Sequence, residues 1–518
     1  MTHRRTLRGG PPGTGGYRQL VDGPAEPHIH RTDLAPPPDR PGEPLLTIAH
    51  LSDLHVCDTQ SPARVEFLDR WADPDSPILD VIDEVGTYRA QELLTAQVVD
   101  AMTQAVNSLE GGPVGGAPVD VAVVTGDNTD NAQTNELDWY VTLLDGGRVC
   151  ADSGDLSRYE GVADDLLPDE RFWHPHASHP DLPRLRFGFP AVPGLLDAIR
   201  APFRAAGLHA PWLAVHGNHD RLLQGTVPGT GALAAAAVGA NKAINLPAHW
   251  PTDAIAELLN GLASCDPVAI EALGAAGFRT VTADAARRIT TRAEFVAAHF
   301  GPAARPPGHG FGPDGRPYYR HDRGRITLLV LDTVDEHGGW QGSLDRDQFD
   351  WLESELSSAD AERRYVILAS HHPLATLVND IRPVGAPGRV LSTELAANLA
   401  THPSVVLWLN GHTHRTTVTS HGAWWEVTAP SLIDWPQQGR IVEVLRSPGT
   451  LTIAATMLDH VGTAPWNGSI DTTSALAGLA RELAANDWQG RDCALDRHPR
   501  SGRPTDRNVL LHLADPWV

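Results

Sequence analysis

The sequence predicts an α/β fold, because short apolar runs alternate with segments of helical periodicity. Six runs rich in Val, Ile and Leu have the length and composition of buried strands. They are residues 45–51, 119–125, 212–216, 326–331, 365–369 and 405–409. Apolar residues recur at helical spacing over 88–109, and Phe349, Leu352 and Leu356 share one face of a second predicted helix. Asp345 has the residue type and position of its N-cap.

Composition and charge restrict the functional classes. The chain has 518 residues, of which 41% are hydrophobic and 20% charged, so it can form a large core and is not globally disordered. Its net charge of -23 repels polyanions, so we expect no nucleic-acid partner. A small anionic substrate remains compatible with this charge, because bound metal ions reverse the sign locally.

Cysteine usage and the N-terminus bear on the compartment. The four cysteines are far apart and form no C-x-x-C pair, which disfavours a disulfide framework or a thiolate zinc site. They are Cys57, Cys150, Cys265 and Cys493. The N-terminal Arg4-Arg5 pair is typical of an export signal, but Gly and Pro follow it instead of an apolar segment. No apolar run approaches the ~20 residues of a membrane span. We therefore expect a cytoplasmic protein.

The distribution of Gly, Pro and apolar runs suggests three regions. Residues 1–44 contain 9 Pro and 7 Gly and are predicted to form an irregular arm. Residues 45–460 hold the alternating pattern and form the predicted catalytic domain. Two long segments, 131–210 and 222–320, interrupt that pattern and are interpreted as insertions at the rim of a site. Residues 461–518 are predicted to wrap the surface.

Polar motifs follow five of the six apolar runs. They are Asp53-Leu54-His55, Gly126-Asp127-Asn128, Gly217-Asn218-His219-Asp220, His371-His372-Pro373 and Gly411-His412-Thr413-His414. Taken singly, each has an ordinary structural explanation, such as a turn for the Gly-Asp pair or a core position for one histidine. Ligands of open α/β sheets bind beyond the carboxyl ends of the strands. Five such ends in succession therefore favour one metal-binding crevice.

The chemistry of the donor set indicates which metals it would hold. Carboxylate, amide oxygen and imidazole without thiolate suit Mn, Fe or Zn. The candidate ligands are Asp53, His55, Asp127, Asn218, His371, His412 and His414. They are too many for one tetrahedral ion. Two divalent ions about 3.5–4 Å apart, sharing one carboxylate, would use them all and would suit an in-line displacement.

The five motifs, in this order, resemble those of the calcineurin-like metallophosphoesterase superfamily. The resemblance implies a four-layer α/β/β/α sandwich, here with long insertions, and two divalent metal ions as cofactors. It implies hydrolysis of a phosphomonoester or phosphodiester by in-line attack of a metal-bridging hydroxide. The substrate would be a small molecule, and a nucleotide, a cyclic nucleotide and a nucleotide-linked lipid are all compatible with the motifs.

The resemblance also implies a division of the ligands. Asp127 would bridge the two metals. The ligands of the first metal would be Asp53, His55 and His414. Those of the second would be Asn218, His371 and His412, with His371 chosen over His372 because the family motif is His-x-Pro.

Two further residues receive catalytic roles from the resemblance. His219 would face the phosphate beside Asn218 and protonate the leaving oxygen, and Asp220 would orient the other ring nitrogen of His219. The sequence also departs from one branch of the superfamily. Purple acid phosphatases have a tyrosine three positions after the bridging aspartate, where this chain has Asp130. The Fe(III) site of that branch is therefore not implied.

Three alternatives to this interpretation remain open. A metallohydrolase of the amidohydrolase type has its His-x-His at the first strand, and one of the metallo-β-lactamase type needs His-x-His-x-Asp-His; neither pattern fits. A non-catalytic scaffold on the same fold would be expected to have lost ligands, and none is lost. A nuclease of the same superfamily is disfavoured by the acidic charge and the lack of a basic stripe.

Overall fold

The structure is a computed structural model that describes residues 1–40, 42–73, 75–79, 88–490, 495 and 498–518. Cys493, noted above among the cysteines, lies outside the described residues. Cys57, Cys150 and Cys265 are free thiols. No helix within the described residues is long and apolar enough to cross a membrane.

The described residues form 21 strands and 11 α-helices. The strands are β1 Thr6–Pro12, β2 Arg18–Gly23, β3 Ile29–Arg31, β4 Glu43–Leu51, β5 Val121–Val124, β6 Gly147–Val149, β7 Phe203–Ala205, β8 Trp212–Ala214, β9 Leu222–Leu223, β10 Val227–Pro228, β11 Asn241–Asn245, β12 Gly277–Thr280, β13 Tyr319–Arg323, β14 Ile326–Val330, β15 Tyr365–Ala369, β16 Val405–Asn410, β17 Thr417–Ser420, β18 Trp425–Thr428, β19 Gln438–Ser447, β20 Thr450–Asp459 and β21 Val509–Ala514. The helices are α1 Thr95–Asn107, α2 Thr134–Asp145, α3 Leu182–Phe187, α4 Leu195–Arg200, α5 Gly231–Val238, α6 Thr252–Ala263, α7 Pro267–Ala272, α8 Arg292–Ala298, α9 Arg346–Ala361, α10 Ser392–Leu399 and α11 Thr473–Ala484.

Two mixed sheets form the centre of the molecule. The seven-stranded sheet has the order β3-β21-β20-β19-β4-β5-β8, in which β4, β5 and β8 are parallel neighbours. The six-stranded sheet has the order β13-β14-β15-β16-β18-β17, with parallel pairing from β14 to β18. Because parallel strands share one direction, their carboxyl ends lie at one edge of each sheet.

Side-chain alternation along the strands shows how the layers pack. Leu328 and Val330 of β14 lie in the same buried cluster as Ile48 of β4, so the two sheets pack face to face. Leu329, which points to the opposite face, packs with Leu352 of α9 in a second cluster. Helices α1 and α11 pack on each other and beside the seven-stranded sheet. The predicted α/β fold is confirmed, with helices outside two sheets.

The predicted elements around the site are present. All six predicted strands form, with bounds that differ from the prediction by a residue or two. The predicted helix at 88–109 begins as a 3₁₀ turn, Ala90–Leu94, before α1. Asp345 caps α9, because its side chain accepts a hydrogen bond from the backbone N–H of Gln348 at 2.8 Å.

Both termini are more regular than the sequence indicates. The prediction of an irregular arm for residues 1–44 is wrong, because β1 and β2 form an antiparallel hairpin and β3 pairs with β21. The C-terminal segment is more than a surface wrap, because β21 pairs with β20 inside the seven-stranded sheet. Backbone hydrogen bonding orders these strands, and the pairings of β3 with β21 and of β21 with β20 join residues distant in the sequence, which no local pattern records.

The two segments interpreted as insertions differ in how they pack. Within 131–210, Leu137 and Tyr140 of α2 join the main core. Within 222–320, Ile255 and Leu258 of α6 belong to a separate cluster, together with Phe67. The first segment is therefore part of the central layers, and much of the second has a small core of its own.

Candidate metal centre

The structure brings all the candidate ligands together at the carboxyl ends of five strands. Asp53 and His55 follow β4, Asp127 follows β5, and Asn218 follows β8. On the other sheet, His371 follows β15, and His412 and His414 follow β16. The site therefore lies where the carboxyl ends of the parallel strands of the two sheets meet, as expected for a ligand site in an α/β protein.

The first group of donors consists of Asp53, His55 and His414. One donor atom from each lies within 4.8 Å of the others. The Nε2 atoms of His55 and His414 are 3.1 Å apart, and Nε2 of His414 is 3.4 Å from Oδ1 of Asp53. We call these three residues the first cluster.

The second group contains Asn218, His371 and His412, which we call the second cluster. Nε2 of His371 is 3.3 Å from Nδ1 of His412. The Nδ2 group of Asn218 donates to the carbonyl of Gly225 at 2.9 Å, and its Oδ1 is buried without a hydrogen-bond partner. A buried amide oxygen without a donor is a position that a cation would satisfy.

Asp127 lies between the two clusters. Its Oδ2 is 3.1 Å from Nε2 of His371 and 3.8 Å from Nε2 of His55. Its Oδ1 accepts a hydrogen bond from the backbone N–H of His219 at 2.8 Å, which fixes the carboxylate. This is the position that a bridging ligand requires.

Three of the histidines are oriented by bonds at Nδ1. His55 contacts Asp130 at 3.2 Å, His414 contacts Asp434 at 2.6 Å, and His371 contacts the carbonyl of Thr125 at 2.8 Å. An acceptor at Nδ1 places the proton there and leaves the lone pair of Nε2 turned toward the cluster. Each ring is therefore held in the tautomer that a metal ligand needs.

The backbone at the site is held in a rarely populated conformation. Five candidate ligands have positive φ, a region that non-glycine residues seldom adopt. They are Asp53 (51°), His55 (43°), Asp127 (49°), His412 (69°) and His414 (54°). The motif glycines allow close approach, because a Cβ on Gly126 would lie 2.7 Å from Nδ1 of His371.

The electrostatics of the buried site favour positive charge. Burial lowers the pKa of His371, but Asp127, Asp53 and the Thr125 carbonyl together outweigh it and raise the pKa to about 9. Burial likewise opposes protonation of His414, but Asp434 and Asp53 raise its pKa to about 9. The carboxylates of Asp127, Asp53 and Asp434 thus favour positive charge at these two rings.

His219 is positioned by its backbone surroundings. Its Nδ1 contacts the carbonyl of Asp130 at 2.7 Å, and its ring lies 4.6 Å from that of His55, centroid to centroid. Burial lowers the pKa of His219, and the Asp127 carboxylate opposes this. A donor atom of His219 also lies within 4.8 Å of donor atoms of His55 and Asp127, so the residue is close to both clusters.

The role that the resemblance assigns to Asp220 is wrong. Its carboxylate accepts from the backbone N–H groups of Asn128, Thr129 and Gly217 at 3.0, 2.9 and 2.8 Å. The 3₁₀ turn Asn218–Asp220 points this side chain back toward the preceding loops, and the Asp130 carbonyl takes Nδ1 of His219 instead. Asp220 fastens the loop after β5 to the loop after β8.

The carboxylates that hold the first cluster are not among the site residues predicted from the sequence. Asp434 is fully buried. It forms ion pairs with Arg89 at 2.7 Å and Arg500 at 3.0 Å, in addition to its contact with His414. Asp130 pairs with Arg64 as well as with His55. Asp130 had one sequence signal, its place three residues after Asp127, whereas Asp434 lies in no recognisable motif.

Solvent reaches the site from one side. Most donors are buried, and the partly exposed members are His219, His412 and His414. Trp340 lies at this opening, with its ring 5.7 Å from that of His412 and nearly parallel to it, at 23°. His372 is buried, and its ring nitrogens contact the Thr333 hydroxyl and the carbonyl of Trp340, although one of its donor atoms lies within 4.8 Å of donor atoms of His371 and His412.

Comparison with known proteins finds a family that part of the chain resembles. Residues 193–416 match the family model described as calcineurin-like phosphoesterase. The match spans the last three of the five motifs and confirms the resemblance seen in the sequence. It supports a metal-dependent phosphoesterase. A comparison with curated proteins finds no match.

Two solved structures are also similar to this chain. A dimetal phosphatase from Danio rerio is 13% identical, with 81% of this chain and 98% of that chain covered and a TM-score of 0.37. A putative 5'-nucleotidase from Staphylococcus aureus is 12% identical, with 31% of this chain and 33% of that chain covered and a TM-score of 0.21.

Proposed function

We propose that this chain, which resembles the calcineurin-like phosphoesterases over residues 193–416, hydrolyses small-molecule phosphoesters with two divalent metal ions. One observation carries the proposal: seven donors converge from five strand ends, with the imidazole nitrogens turned inward. When bound, two divalent ions activate water and neutralise the negative charge of a phosphoester. The rest of the reaction depends on how the protein's own residues hold the ions, orient the substrate and protonate the leaving oxygen.

The donor set fits two ions. Asn218 contributes a buried oxygen that accepts no hydrogen bond. Each cluster also contains two imidazole nitrogens about 3 Å apart, which is too close for both nitrogens to carry a proton. The first cluster would hold one ion and the second cluster the other, with Asp127 shared. Oxygen and nitrogen donors without thiolate suit Mn, Fe or Zn.

His219 is the proposed general acid. Its Nδ1 proton is directed to the Asp130 carbonyl, so Nε2 is the atom that would carry a proton to the leaving oxygen. Asn218 precedes it on the same 3₁₀ turn, and the backbone N–H of His219 donates to the shared carboxylate. Asp220 contributes by fixing this turn rather than by touching the ring.

The acidic charge favours a small substrate over a nucleic acid. With a net charge of -23, the protein surface repels a polyanion, whereas a single phosphoester enters a site that the metals make locally positive. We therefore propose a phosphomonoester or phosphodiester of low molecular mass. Binding of duplex DNA should be undetectable at physiological salt; submicromolar, salt-sensitive binding would favour the nuclease alternative.

The test combines metal content with activity. Protein stripped by a chelator is reloaded with Mn, Fe, Zn or Mg, and elemental analysis is paired with a panel of mono- and diesters. We expect two ions per chain and hydrolysis that depends on them. His412→Ala should retain one ion and lose activity toward every ester.

The matched control for this variant is His402→Ala. His402 is a buried histidine that contacts Asp360 and Glu353 away from the site, so its loss should change neither metal content nor activity. Hydrolysis of no ester with any of the four ions would reject the proposal. Two ions retained by His412→Ala would reject the assignment of the second cluster.

A further inference from the structure

Trp340 is the exposed tryptophan of this protein. All 14 tryptophans lie within the described residues, and Trp340, at 44% exposure, is the one that is largely open to solvent. Single exposed apolar side chains are ordinary on protein surfaces. The position of this one is not, because its ring lies against His412 at the opening of the proposed metal centre.

The loop that carries Trp340 is fixed on both sides of it. The Trp340 carbonyl accepts from Nε2 of His372 at 3.0 Å. Asn379 donates to the carbonyls of Gly338 and Gln341, at 2.8 and 3.1 Å. The backbone that carries the indole is therefore held in place before any ligand arrives, which lowers the entropy lost on binding.

Part of the Trp340 side chain is open to solvent. The ring lies nearly parallel to the His412 imidazole, and the residue is 44% exposed. An open aromatic surface beside a phosphate site provides a stacking platform for a planar ring. Stacking of this kind tolerates any base, because every base has a π-face.

We propose that Trp340 is a specificity residue that stacks on a nucleobase carried by the phosphoester substrate. This inference rests on the proposed function and narrows its substrate class to nucleotides and their esters. The metals would bind the phosphate, and Trp340 would select for the base. It predicts a preference for base-bearing esters over their base-free counterparts, with little discrimination among bases.

A matched pair of substrates isolates the base. Adenosine 5'-monophosphate and ribose 5-phosphate share the same leaving oxygen and differ in the base, and their methyl esters form the equivalent diester pair. Kinetics are measured for wild type, Trp340→Ala and Trp340→Phe. Dissociation constants for both monoesters are measured in the His219→Ala background, so that binding is read apart from turnover. Elemental analysis accompanies each variant.

The expected result is a loss confined to base-bearing ligands. Trp340→Ala should raise KM and Kd for adenosine 5'-monophosphate about 5–100-fold, the range for loss of one stacked base, and leave ribose 5-phosphate unchanged. Trp340→Phe should restore most of the preference. The control is Trp351→Ala, which removes a half-buried tryptophan of α9 that contacts Tyr318. This variant should change neither KM nor Kd for either monoester.

Several outcomes would overturn the inference. Equal affinity of the wild type for the two monoesters would do so, as would an equal loss for both in Trp340→Ala or a lost ion in that variant. Failure of the proposed function is read separately, as hydrolysis of none of the four esters with any metal. The binding comparison still decides the stacking in that case.

Discussion

The two clusters of the proposed metal centre are supported in different ways. In the first cluster, His55 and His414 direct Nδ1 to the buried carboxylates of Asp130 and Asp434. In the second cluster, the corresponding bonds of His371 and Asn218 go to backbone carbonyls. A carboxylate at Nδ1 makes an imidazole a stronger metal ligand than a carbonyl does.

The supporting carboxylates of the first cluster are themselves paired. Arg64 neutralises Asp130, and Arg89 and Arg500 neutralise Asp434. A buried charge of this kind is tolerated because it is compensated. The first cluster thus belongs to an extended ionic network, whereas the supporting bonds of the second go to backbone carbonyls. We infer that the first metal would be held more tightly.

The largest expected effect concerns His219, which lies between the clusters. His219→Ala should keep both ions and lose about 10²–10⁴-fold in turnover, the range for general acid–base catalysis. The loss should shrink for a nitrophenyl ester, because a nitrophenolate departs without a proton. Loss of an ion would make His219 a ligand and break the division into two clusters.

The next effect tests whether carboxylate support matters. Asp434→Asn should lower the affinity for the first ion about 10–100-fold, the usual effect of removing such a partner. The second ion should bind as before. Competitive chelator titrations measure both affinities.

The control for Asp434→Asn is Asp360→Asn. Asp360 contacts Nδ1 of His402 at 2.7 Å, which makes it a carboxylate–histidine pair outside the metal centre. This variant should leave both affinities unchanged. An equal loss of affinity for both ions in Asp434→Asn would show that the two clusters are not independently supported.

The sequence predicts the ligands of both clusters but not what distinguishes the clusters. Ligands lie in short motifs directly after strands, so that strand pattern and residue type together locate them. Asp434 contacts His414, and Arg500 contacts Asp434, only because the tertiary fold brings them together. No local sequence pattern records these contacts. Trp340 was missed for the same reason, since its significance comes from the neighbouring His412 ring.

The fold shows the same contrast. Buried strands such as β14 and β15 are continuous apolar runs and are predicted correctly. Strands β1 to β3 are short and rich in polar residues, Gly or Pro, and form because a partner strand is available. Local composition therefore predicts the core of the sheets and fails at their edges.

A smaller effect is expected from Asp220, which joins the loop of the shared ligand to the second cluster. Asp220→Asn replaces one carboxylate oxygen by a donor and leaves a backbone N–H unpaired, which should reduce stability by about 1–3 kcal/mol. Calorimetry should show a lower Tm, whereas exposed Asp197→Asn should not. A turnover loss that depends on the leaving group, as in His219→Ala, would instead show that Asp220 acts on the ring.

The smallest effect lies beneath the second cluster, at His50. Its Nε2 contacts the Thr125 hydroxyl at 3.0 Å, and the Thr125 carbonyl in turn supports His371. Burial, with a contribution from Arg440, lowers the pKa of His50 to about 3, against weak opposition from Asp53. The buried ring therefore stays neutral in the folded protein at pH values where an unfolded histidine is protonated.

The sign of the resulting pH dependence follows from linkage. The unfolded chain binds a proton at His50 below about pH 6.5 and the folded chain does not, so stability is full above that pH and falls as the pH falls toward 3. Between pH 7 and 5.5 the loss should be about 1 kcal/mol. Over this pH range the free energy of unfolding of the metal-free wild type should fall by about 1 kcal/mol more than that of metal-free His50→Gln. The titrations of the candidate ligands are common to both proteins and cancel in the comparison. Parallel pH curves for the two proteins would show that His50 does not titrate as proposed.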